Sequence, residues 1–298
     1  ITKGMSIQDA VKKMRGPENT RVTLTILRKD MKEPRDYEIT RAVIKIKSVK
    51  HNVYEDSIGY IRISAFQEST ADELKKAMQQ ISGKSKGLKG IVVDVRNNPG
   101  GLLDQAVKAS DAFLKSGTIV STKGRAKAIE SKFVARDDGN EPTCPMVVLV
   151  NEGTASASEI LSGALQDNGR AIVLGMPTFG KGSVQTVIPL EDGSALKLTT
   201  AKYYTPKGRS IQAEGIKPDI VVEPIRQAEG PETAETHMLR ERDLKGHIRG
   251  DREGEPKPAD AREKDAGKEK TDLQKDNQLK SAIDILKSWE VFKRIGKN

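Results

Sequence analysis

Two serines stand in a run of small residues that directly follows an apolar stretch. The stretch is Pro145-Met-Val-Val-Leu-Val150, and the run is Asn151-Glu-Gly-Thr-Ala-Ser-Ala-Ser-Glu-Ile160. A buried strand that enters a helix through small residues exposes a hydroxyl beside the free N–H groups of the helix start, where it can act as a nucleophile. A serine there is also a common helix N-cap. Ser156 or Ser158 therefore indicates catalysis only if the chain also supplies a base.

Histidine is the usual base for a serine nucleophile, and the chain has three. His51 stands beside a predicted strand, ahead of the alternating strands and helices of the predicted core. His237 and His247 lie in a highly charged region that offers no framework to position them. A Ser-His-Asp triad is therefore not expected, and each histidine is interpreted as an ordinary surface or strand residue.

Lys181 is the alternative base. It lies in Pro177-Thr-Phe-Gly-Lys-Gly-Ser-Val-Gln185, where the flanking glycines permit a tight turn, and the predicted strand Ala171-Ile-Val-Leu174 supplies an apolar wall. A lysine that is buried without a countercharge loses its proton much more readily than a solvated one, which makes it a usable base near neutral pH. Taken alone, Gly-Lys-Gly is more often a surface turn.

The same segment has the spacing of a phosphate-binding loop. Gly175-Met-Pro-Thr-Phe-Gly-Lys181 fits the pattern G-x-x-x-x-G-K. That motif needs Ser or Thr after the lysine to hold magnesium, and then a helix whose N-terminus faces the phosphates. Position 182 is glycine, and residues 183–190 have the pattern of a strand and include a proline. We therefore reject a nucleotide-binding function.

The elements around these residues alternate between strands and helices. Strands are predicted at residues 58–66, 89–95, 146–151 and 170–174, and helices at residues 71–82, 102–114 and 156–167. This alternation predicts a largely parallel α/β sheet that binds ligands near the carboxyl ends of its strands. A hairpin is predicted within residues 184–204, and the whole core is assigned to residues 44–225.

Residues 1–43 have a different pattern. A capped helix is predicted at residues 6–16, a half-buried strand at 21–29 and a second strand at 37–41. This order resembles the last half of a PDZ domain, and the half that would carry the carboxylate-binding loop does not appear in the sequence. The chain begins without a charged and then apolar leader. We expect that this N-terminus is not the natural one, rather than one left by removal of a leader.

The composition indicates that part of the chain is solvated. Hydrophobic residues make up 36% of the 298 residues and charged residues 31%. This hydrophobic content is low for a chain that folds into one compact globule. Residues 226–270 alternate positive and negative charges and are assigned to a linker. The net charge of +9 does not indicate nucleic-acid binding, because the basic residues are interleaved with acidic ones. Cys144 is the one cysteine, so an internal disulfide is excluded.

Residues 271–298 have the pattern of an amphipathic helix. Thr271 to Gln274 has capping-box spacing. Apolar residues then repeat at helical spacing on one face, namely Leu279, Ala282, Ile283, Leu286, Trp289 and Phe292. Such a stripe has to be buried, either on the core of its own chain or against another chain. We favour the second, with a homo-oligomer or an adaptor protein as the partner.

Four motifs resemble those of the carboxyl-terminal processing proteases, a family of serine peptidases that includes the tail-specific proteases of bacteria. They are Asp94-Val-Arg-Asn-Asn-Pro-Gly-Gly101, Thr154-Ala-Ser-Ala-Ser-Glu159, Pro177 to Gln185 and Gly215-Ile-Lys-Pro-Asp219, in the family's order. The resemblance covers residues 1–224. It implies a crotonase-like α/β core, a PDZ domain that receives the substrate's C-terminus, and export, for example to a bacterial periplasm. It also implies cleavage near unstructured C-terminal tails without ATP, a metal or another cofactor.

By position, the resemblance makes Ser156 the nucleophile and Lys181 the general base. Gln185 matches the glutamine that orients the lysine through its amide oxygen. Ser158 is then expected to pack, or to form hydrogen bonds, within the first helical turn. The presence of the three matched residues argues against the alternative function, a catalytically silent peptide-binding adaptor of the same fold.

The oxyanion hole implied by the resemblance uses backbone N–H groups. Ala157 at the helix start should provide one, and Gly100 the other, with Gly101 as its alternative. Asp167 lies eleven residues after Ser156 and should share its helix face. A catalytic role for Asp167 stays open, but we favour a structural role at the helix end, because an anion near the lysine would oppose its deprotonation.

Overall fold

The structure is a computed structural model, and it divides the chain into two compact units, Ile1–Ile46 and Lys47–Asn298. It describes residues 4–28, 31–43, 47–55, 57–84, 87–124, 130–225, 240–244, 246–248, 250–251 and 276–295. The boundary between the units lies close to the one expected after residue 43.

The first unit is a helix followed by a hairpin. Its elements are α1 (Ile7–Met14), β1 (Arg21–Ile26) and β2 (Arg35–Thr40), and the two strands pair antiparallel. Ser6 caps α1, since its hydroxyl accepts a hydrogen bond from the Asp9 N–H at 3.1 Å. Arg41 joins the elements by donating to the carbonyl of Met14 and to the hydroxyl of Thr20. The predicted helix and both predicted strands are present.

The second unit contains the predicted alternation of strands and helices. In chain order its described helices and strands are β3 (Val49–Tyr54), β4 (Ile58–Ile63), α2 (Thr70–Lys84), β5 (Gly90–Asp94), α3 (Leu103–Asp111), β6 (Thr118–Gly124), β7 (Glu130–Val134), β8 (Met146–Val150), α4 (Ala157–Asp167), β9 (Ile172–Gly175), β10 (Ser183–Pro189), β11 (Ala195–Tyr204), β12 (Ile220–Val221) and α5 (Asn277–Ile295).

A six-stranded sheet forms the centre of this unit within the described residues, in the order β12-β9-β8-β5-β4-β3. Its neighbouring strands run parallel except for β3, which pairs antiparallel with β4. The chain leaves β5 and β8 at the same edge of the sheet, because parallel strands share their carboxyl ends. This places the turn after Asp94 beside the run that begins at Asn151, so two of the four motifs meet there.

Both faces of the sheet are covered, which explains the continuous apolar runs in its strands. Successive side chains alternate between faces. Met146, Val148 and Val150 of β8 therefore join the core formed with α2, α3 and α4. Val147 and Leu149 point to the opposite face and pack against α5. The helix after β8 and the helix at the end of the chain are thus fixed to opposite sides of one strand.

A second sheet has four strands in the order β10-β11-β6-β7, paired antiparallel. The hairpin predicted within residues 184–204 is β10 and β11. No strands are predicted at β3, β6, β7 and β12, so these four are additions from the structure. The described helices include none that is both long enough and apolar enough to span a membrane.

Helix α5 corrects the expectation that the apolar stripe of residues 271–298 is reserved for another chain. Four residues of the stripe pack on the central sheet, namely Leu279, Ala282, Ile283 and Leu286. Trp289 and Phe292 lie beyond them and are 50% and 68% exposed. The expected capping box at residues 271–274 lies outside the described residues. Asp276 caps the described helix α5, because its carboxylate accepts a hydrogen bond from the Leu279 N–H at 3.0 Å.

Part of the charged segment assigned to a linker also packs on the core. The N–H of Glu241 donates to the carbonyl of Phe179 at 3.1 Å. The side chain of Gln212 donates to the carbonyl of Ile248 at 2.7 Å. Its amide oxygen accepts from the N–H of Gly182 at 3.0 Å, so this stretch is joined to the residue that follows Lys181.

Candidate active site

Ser156 is the N-cap of α4, in the loop that follows β8, and its backbone is strained. Its φ is 57° and its ψ is −115°, whereas residues other than glycine rarely adopt a positive φ. Such a backbone costs about 1 to 3 kcal/mol and persists where the surrounding structure enforces it. A serine at the start of a helix lies beside the free N–H groups of the first helical turn. Ser156 is half-buried there.

The turn that follows β5 is bound tightly to the segment that carries Ser156. The side chains of Asn97 and Asn151 are joined at 2.8 Å, and the Asn151 side chain also accepts from the Asn97 N–H at 2.8 Å. The carbonyl of Asn98 accepts from the Ala155 N–H at 2.9 Å. These hydrogen bonds join residues 97–101 to the segment of Ser156. We call residues 97–101 the oxyanion turn, because the sequence predicts an oxyanion donor there.

Ser158 belongs to this connection and not to the exposed site. It is fully buried, and its hydroxyl lies 2.7 Å from the carbonyl oxygens of both Asn98 and Ala155. The same oxygen accepts from the Ala155 N–H at 3.1 Å. These contacts are those expected for a hydroxyl that forms hydrogen bonds within the first helical turn.

Gly100 lies directly against the helix start. A β-carbon on Gly100 would be 2.8 Å from Cβ of Ser156 and 2.9 Å from the nitrogen of Ala157. Its φ of +100° also favours glycine. The N–H of Gly100 donates to the side chain of Asn98 at 2.9 Å. The alternative donor, Gly101, has a φ of +143° and lies against the backbone of Phe66.

The carboxylate of Glu159 joins the segments of Ser156 and Lys181. One oxygen accepts from the N–H of Ser156 at 2.7 Å and from the N–H of Lys181 at 2.9 Å. The other accepts from the N–H of Gly180 at 2.7 Å and from the hydroxyl of Thr178 at 2.5 Å. Glu159 is fully buried. The two main residues predicted for the site are thus brought together through their backbones.

Burial raises the pKa of Glu159 to about 7, because the interior disfavours the charged carboxylate. The hydrogen bonds from Thr178, Ser156, Gly180 and Lys181 oppose this rise by stabilising the charged form. An ionised carboxylate offers four acceptor positions, one for each of these four donors. A proton on either oxygen would occupy one of these acceptor positions.

The family model of peptidase family S41 matches residues 57–222, more than half of the chain. The chain belongs to peptidase family S41. It is similar to the carboxy-terminal-processing protease of Bartonella bacilliformis, with 49% identity over 257 residues that cover 85% of this chain and 58% of that protein. Identity to the carboxyl-terminal-processing protease of Synechocystis is 42% over 226 residues, which cover 74% of this chain and 52% of that protein.

A solved structure, the photosystem II D1 C-terminal processing protease, is also similar. Its TM-score is 0.55 at 32% identity, over 74% of this chain and 60% of that chain. This chain therefore spans less than two thirds of the length of each of these three proteins. The matched S41 region includes Ser156 and Lys181, and the structure places both in one connected site.

Two further residues predicted for the site, Gln185 and Asp167, form no hydrogen bond with Ser156 or Lys181 among the described residues. Gln185 is exposed on β10 opposite Thr199, and it forms no hydrogen bond with Lys181 in the described part of the chain. Asp167 ends α4, about 16 Å along the helix from Ser156. Its carboxylate accepts from the Lys207 N–H at 2.9 Å and forms an ion pair with Arg209. These contacts favour the structural role for Asp167 at the helix end.

Oγ of Ser156 and Nζ of Lys181 form no hydrogen bond with each other among the described residues. Such bonds are often loose without substrate and tighten when it binds. Lys181 is followed by the strand β10, which confirms the objection to a phosphate-binding loop. Of the histidines, His51 lies on the edge strand β3, and His237 lies outside the described residues.

Glu159 is the site residue to which the sequence assigns no role. The motif Ser156-Ala-Ser-Glu159 has the spacing of a capping box, in which the glutamate accepts from the N–H of the capping serine. That spacing could have predicted the bond to Ser156. The bonds to Gly180 and Lys181 come from a separate segment, so no local pattern predicts them.

Proposed function

We propose that this chain is the proteolytic part of a carboxyl-terminal processing protease, an endopeptidase that cleaves near the unstructured C-terminal tails of other proteins. The observation that carries the proposal is the strained backbone of Ser156 at the start of α4, the helix that follows a parallel strand of the central sheet. Strain of this size is stored at functional sites. A catalytically silent peptide-binding adaptor would not require a strained backbone at Ser156.

In the proposed reaction, the neutral amine of Lys181 removes the proton from Ser156 Oγ while that oxygen attacks the scissile carbonyl carbon. The resulting oxyanion accepts hydrogen bonds from the N–H groups of Ala157 and Gly100. Gly100 makes this bond in place of its bond to Asn98. The protonated amine then gives its proton to the leaving amine of the product. An acyl ester remains on Ser156, and water activated by Lys181 hydrolyses it.

Gln185 is the candidate to orient Lys181 once substrate is bound. Its amide oxygen is a neutral acceptor, so it can hold the amine without stabilising the ammonium as a carboxylate would. Gly101 is the alternative oxyanion donor, and Asp167 keeps its structural role in this proposal.

The remaining parts of the chain are proposed to bind partners. The first unit is proposed to be the last half of a PDZ domain that receives the substrate's C-terminus, in agreement with its helix and hairpin. The exposed end of α5, with Trp289 and Phe292, is proposed to contact a second copy of the chain or an activating adaptor protein. By the same resemblance the protein is proposed to act outside the cytoplasm.

The proposal is tested with an unfolded polypeptide that is incubated with the protein in the absence of ATP and added metal. Cleavage is expected for the wild type and is expected to be lost in Ser156→Ala. Ser158→Ala is the matched control, because its hydroxyl is bound to backbone carbonyls and should leave substantial activity. Binding without cleavage by the wild type would support the silent adaptor. Equal loss in both folded variants would contradict the assignment of Ser156.

A further inference from the structure

Arg96 stands immediately before the oxyanion turn, and every N–H of its guanidinium group is bound. Nε and Nη2 donate to the two oxygens of Asp94 at 3.0 and 2.6 Å. Nη1 and Nη2 donate to the two oxygens of Asp276 at 2.9 and 2.7 Å. Nη1 also donates to the side chain of Gln278 at 2.9 Å. A guanidinium has five donors, so this arrangement leaves none unused.

The group is largely buried, so its charges depend on each other. The side chain of Asp94 is fully buried, and those of Arg96 and Asp276 are 12% and 14% exposed. Arg62 also donates to Asp94, at 3.1 Å, so two cations face two anions. Burial opposes ionisation of Asp94, yet the guanidinium of Arg96 holds the pKa of that carboxyl below its ordinary value. Removal of one buried partner leaves another charge uncompensated.

The backbone of Arg96 is fixed as firmly as its side chain. Its N–H donates to Asp94 at 3.0 Å, and its carbonyl accepts from Arg62 at 3.2 Å. The next residue, Asn97, has a positive φ of 54° and begins the turn that ends beside Ser156. The position of the oxyanion turn therefore depends on where Arg96 is held.

Two of the residues that hold Arg96 come from the far end of the chain. Asp276 is 180 positions away in sequence, at the N-cap of α5, and Gln278 lies in the first turn of that helix. Gln278 is itself fixed, since its amide donates to the carbonyl of Val222 at 2.7 Å. The first turn of α5 thus presents preorganised acceptors to Arg96.

We propose that Asp276 and Gln278 are positioning residues for the reaction at Ser156, and that they act by holding Arg96 and with it the oxyanion turn. This inference rests on the proposed function. It makes the start of α5 part of the catalytic apparatus. An oxyanion exists in the transition state and not in the bound substrate, so a displaced turn lowers kcat and leaves KM nearly unchanged.

The test compares Asp276→Asn with Asp284→Asn, a matched change at an exposed position of the same helix. For Asp276→Asn we expect kcat per folded molecule to fall at least about 10-fold while KM stays within about twofold. Asp284→Asn should match the wild type. Gln278→Ala removes one acceptor and keeps the ion pair, so it should lower kcat in the same direction but less. If Asp276→Asn fails to fold, Gln278→Ala alone tests the proposal by the same measurement of kcat and KM.

Hydrogen exchange of residues 97–101 provides a readout that does not require peptidase activity. Exchange in the turn should become faster in Asp276→Asn than in Asp284→Asn. Wild-type kcat and unchanged exchange in both Asp276→Asn and Gln278→Ala would overturn the inference, as would a rise in KM with kcat unchanged. None of these results bears on the proposed function, which is tested by the dependence of wild-type cleavage on Ser156.

Discussion

Ser156 and Lys181 donate their backbone N–H groups to the same oxygen atom of Glu159, at 2.7 and 2.9 Å. The segments that carry the proposed nucleophile and the proposed base are therefore fixed to one buried carboxylate. A change in Glu159 should alter the spacing of the two segments without removing either reacting group.

Glu159→Gln should lower kcat by about 10-fold to 100-fold. Each oxygen of Glu159 accepts two hydrogen bonds. In glutamine, the amide nitrogen takes the place of one oxygen and is itself a donor, so it would face a donor such as the N–H of Gly180 or Lys181. Initial rates on an unstructured peptide measure the effect. Glu152→Gln, a change in the same segment, is the control and should leave the rate unchanged. Wild-type activity in Glu159→Gln would show that the shared carboxylate does not position the site.

The stability of the protein should depend on pH through Glu159. Its pKa is raised from the ordinary 4.5 to about 7, so the folded state binds the proton more tightly than the unfolded state. Stabilisation from this proton is complete below pH 4.5 and is lost as the pH rises through about 7. The loss should amount to about 3 kcal/mol. Thermal unfolding across this range should show a steeper decline in the wild type than in Glu159→Gln, and parallel curves would contradict the prediction.

Gly100→Ala should abolish cleavage. The new β-carbon would lie 2.8 Å from Cβ of Ser156, at a φ of +100°. Gly87→Ala is a matched control, because Gly87 has a φ of +106° but no atom within 4 Å of the added carbon. Both variants place alanine at a positive φ, but only Gly100→Ala also crowds the oxyanion turn. Similar rates on an unstructured peptide for the two variants would argue against a catalytic role for this turn.

The exposed end of α5 should mediate assembly. Trp289→Glu combined with Phe292→Glu should lower the mass measured by light scattering, because both apolar side chains are exposed. Ser288→Glu, also on the exposed part of the helix, is the control. Leu279→Glu and Leu286→Glu should instead reduce stability, because these residues pack on the sheet of their own chain. An unchanged mass in the double variant would contradict assembly through α5.

The sequence predicts those elements whose patterns are strong. The apolar runs of β5 and β8 and the periodic helices after them are predicted because burial on two faces leaves a clear pattern. The strand β7 (Glu130–Val134) is mostly exposed, so its residues alternate weakly and its pairing with β6 is invisible to a local pattern. The sequence favours another chain as the partner of the α5 stripe, yet four of its six residues pack on the central sheet. An apolar stripe shows that a helix face is buried, but it does not show which surface buries it.

The candidate site divides in the same way. Ser156 and Lys181 stand in motifs that can be identified by residue type and spacing. The contacts that hold them are between distant segments, as in the bonds of Glu159 to Lys181 and of Arg96 to Asp276. Such contacts require the sheet order and the position of α5, which one sequence does not specify.

The proposed Ser-Lys mechanism is tested most directly by the kcat/KM of Lys181→Arg beside the wild type, measured against pH on a small unstructured peptide. Arginine keeps the charge and approximate length but does not release its proton, so this variant should be inactive at every pH. Lys197→Arg, the same change at an exposed position of β11, should behave like the wild type. Wild-type activity in Lys181→Arg would contradict the mechanism, and the base would then have to be sought elsewhere, beginning with the histidines.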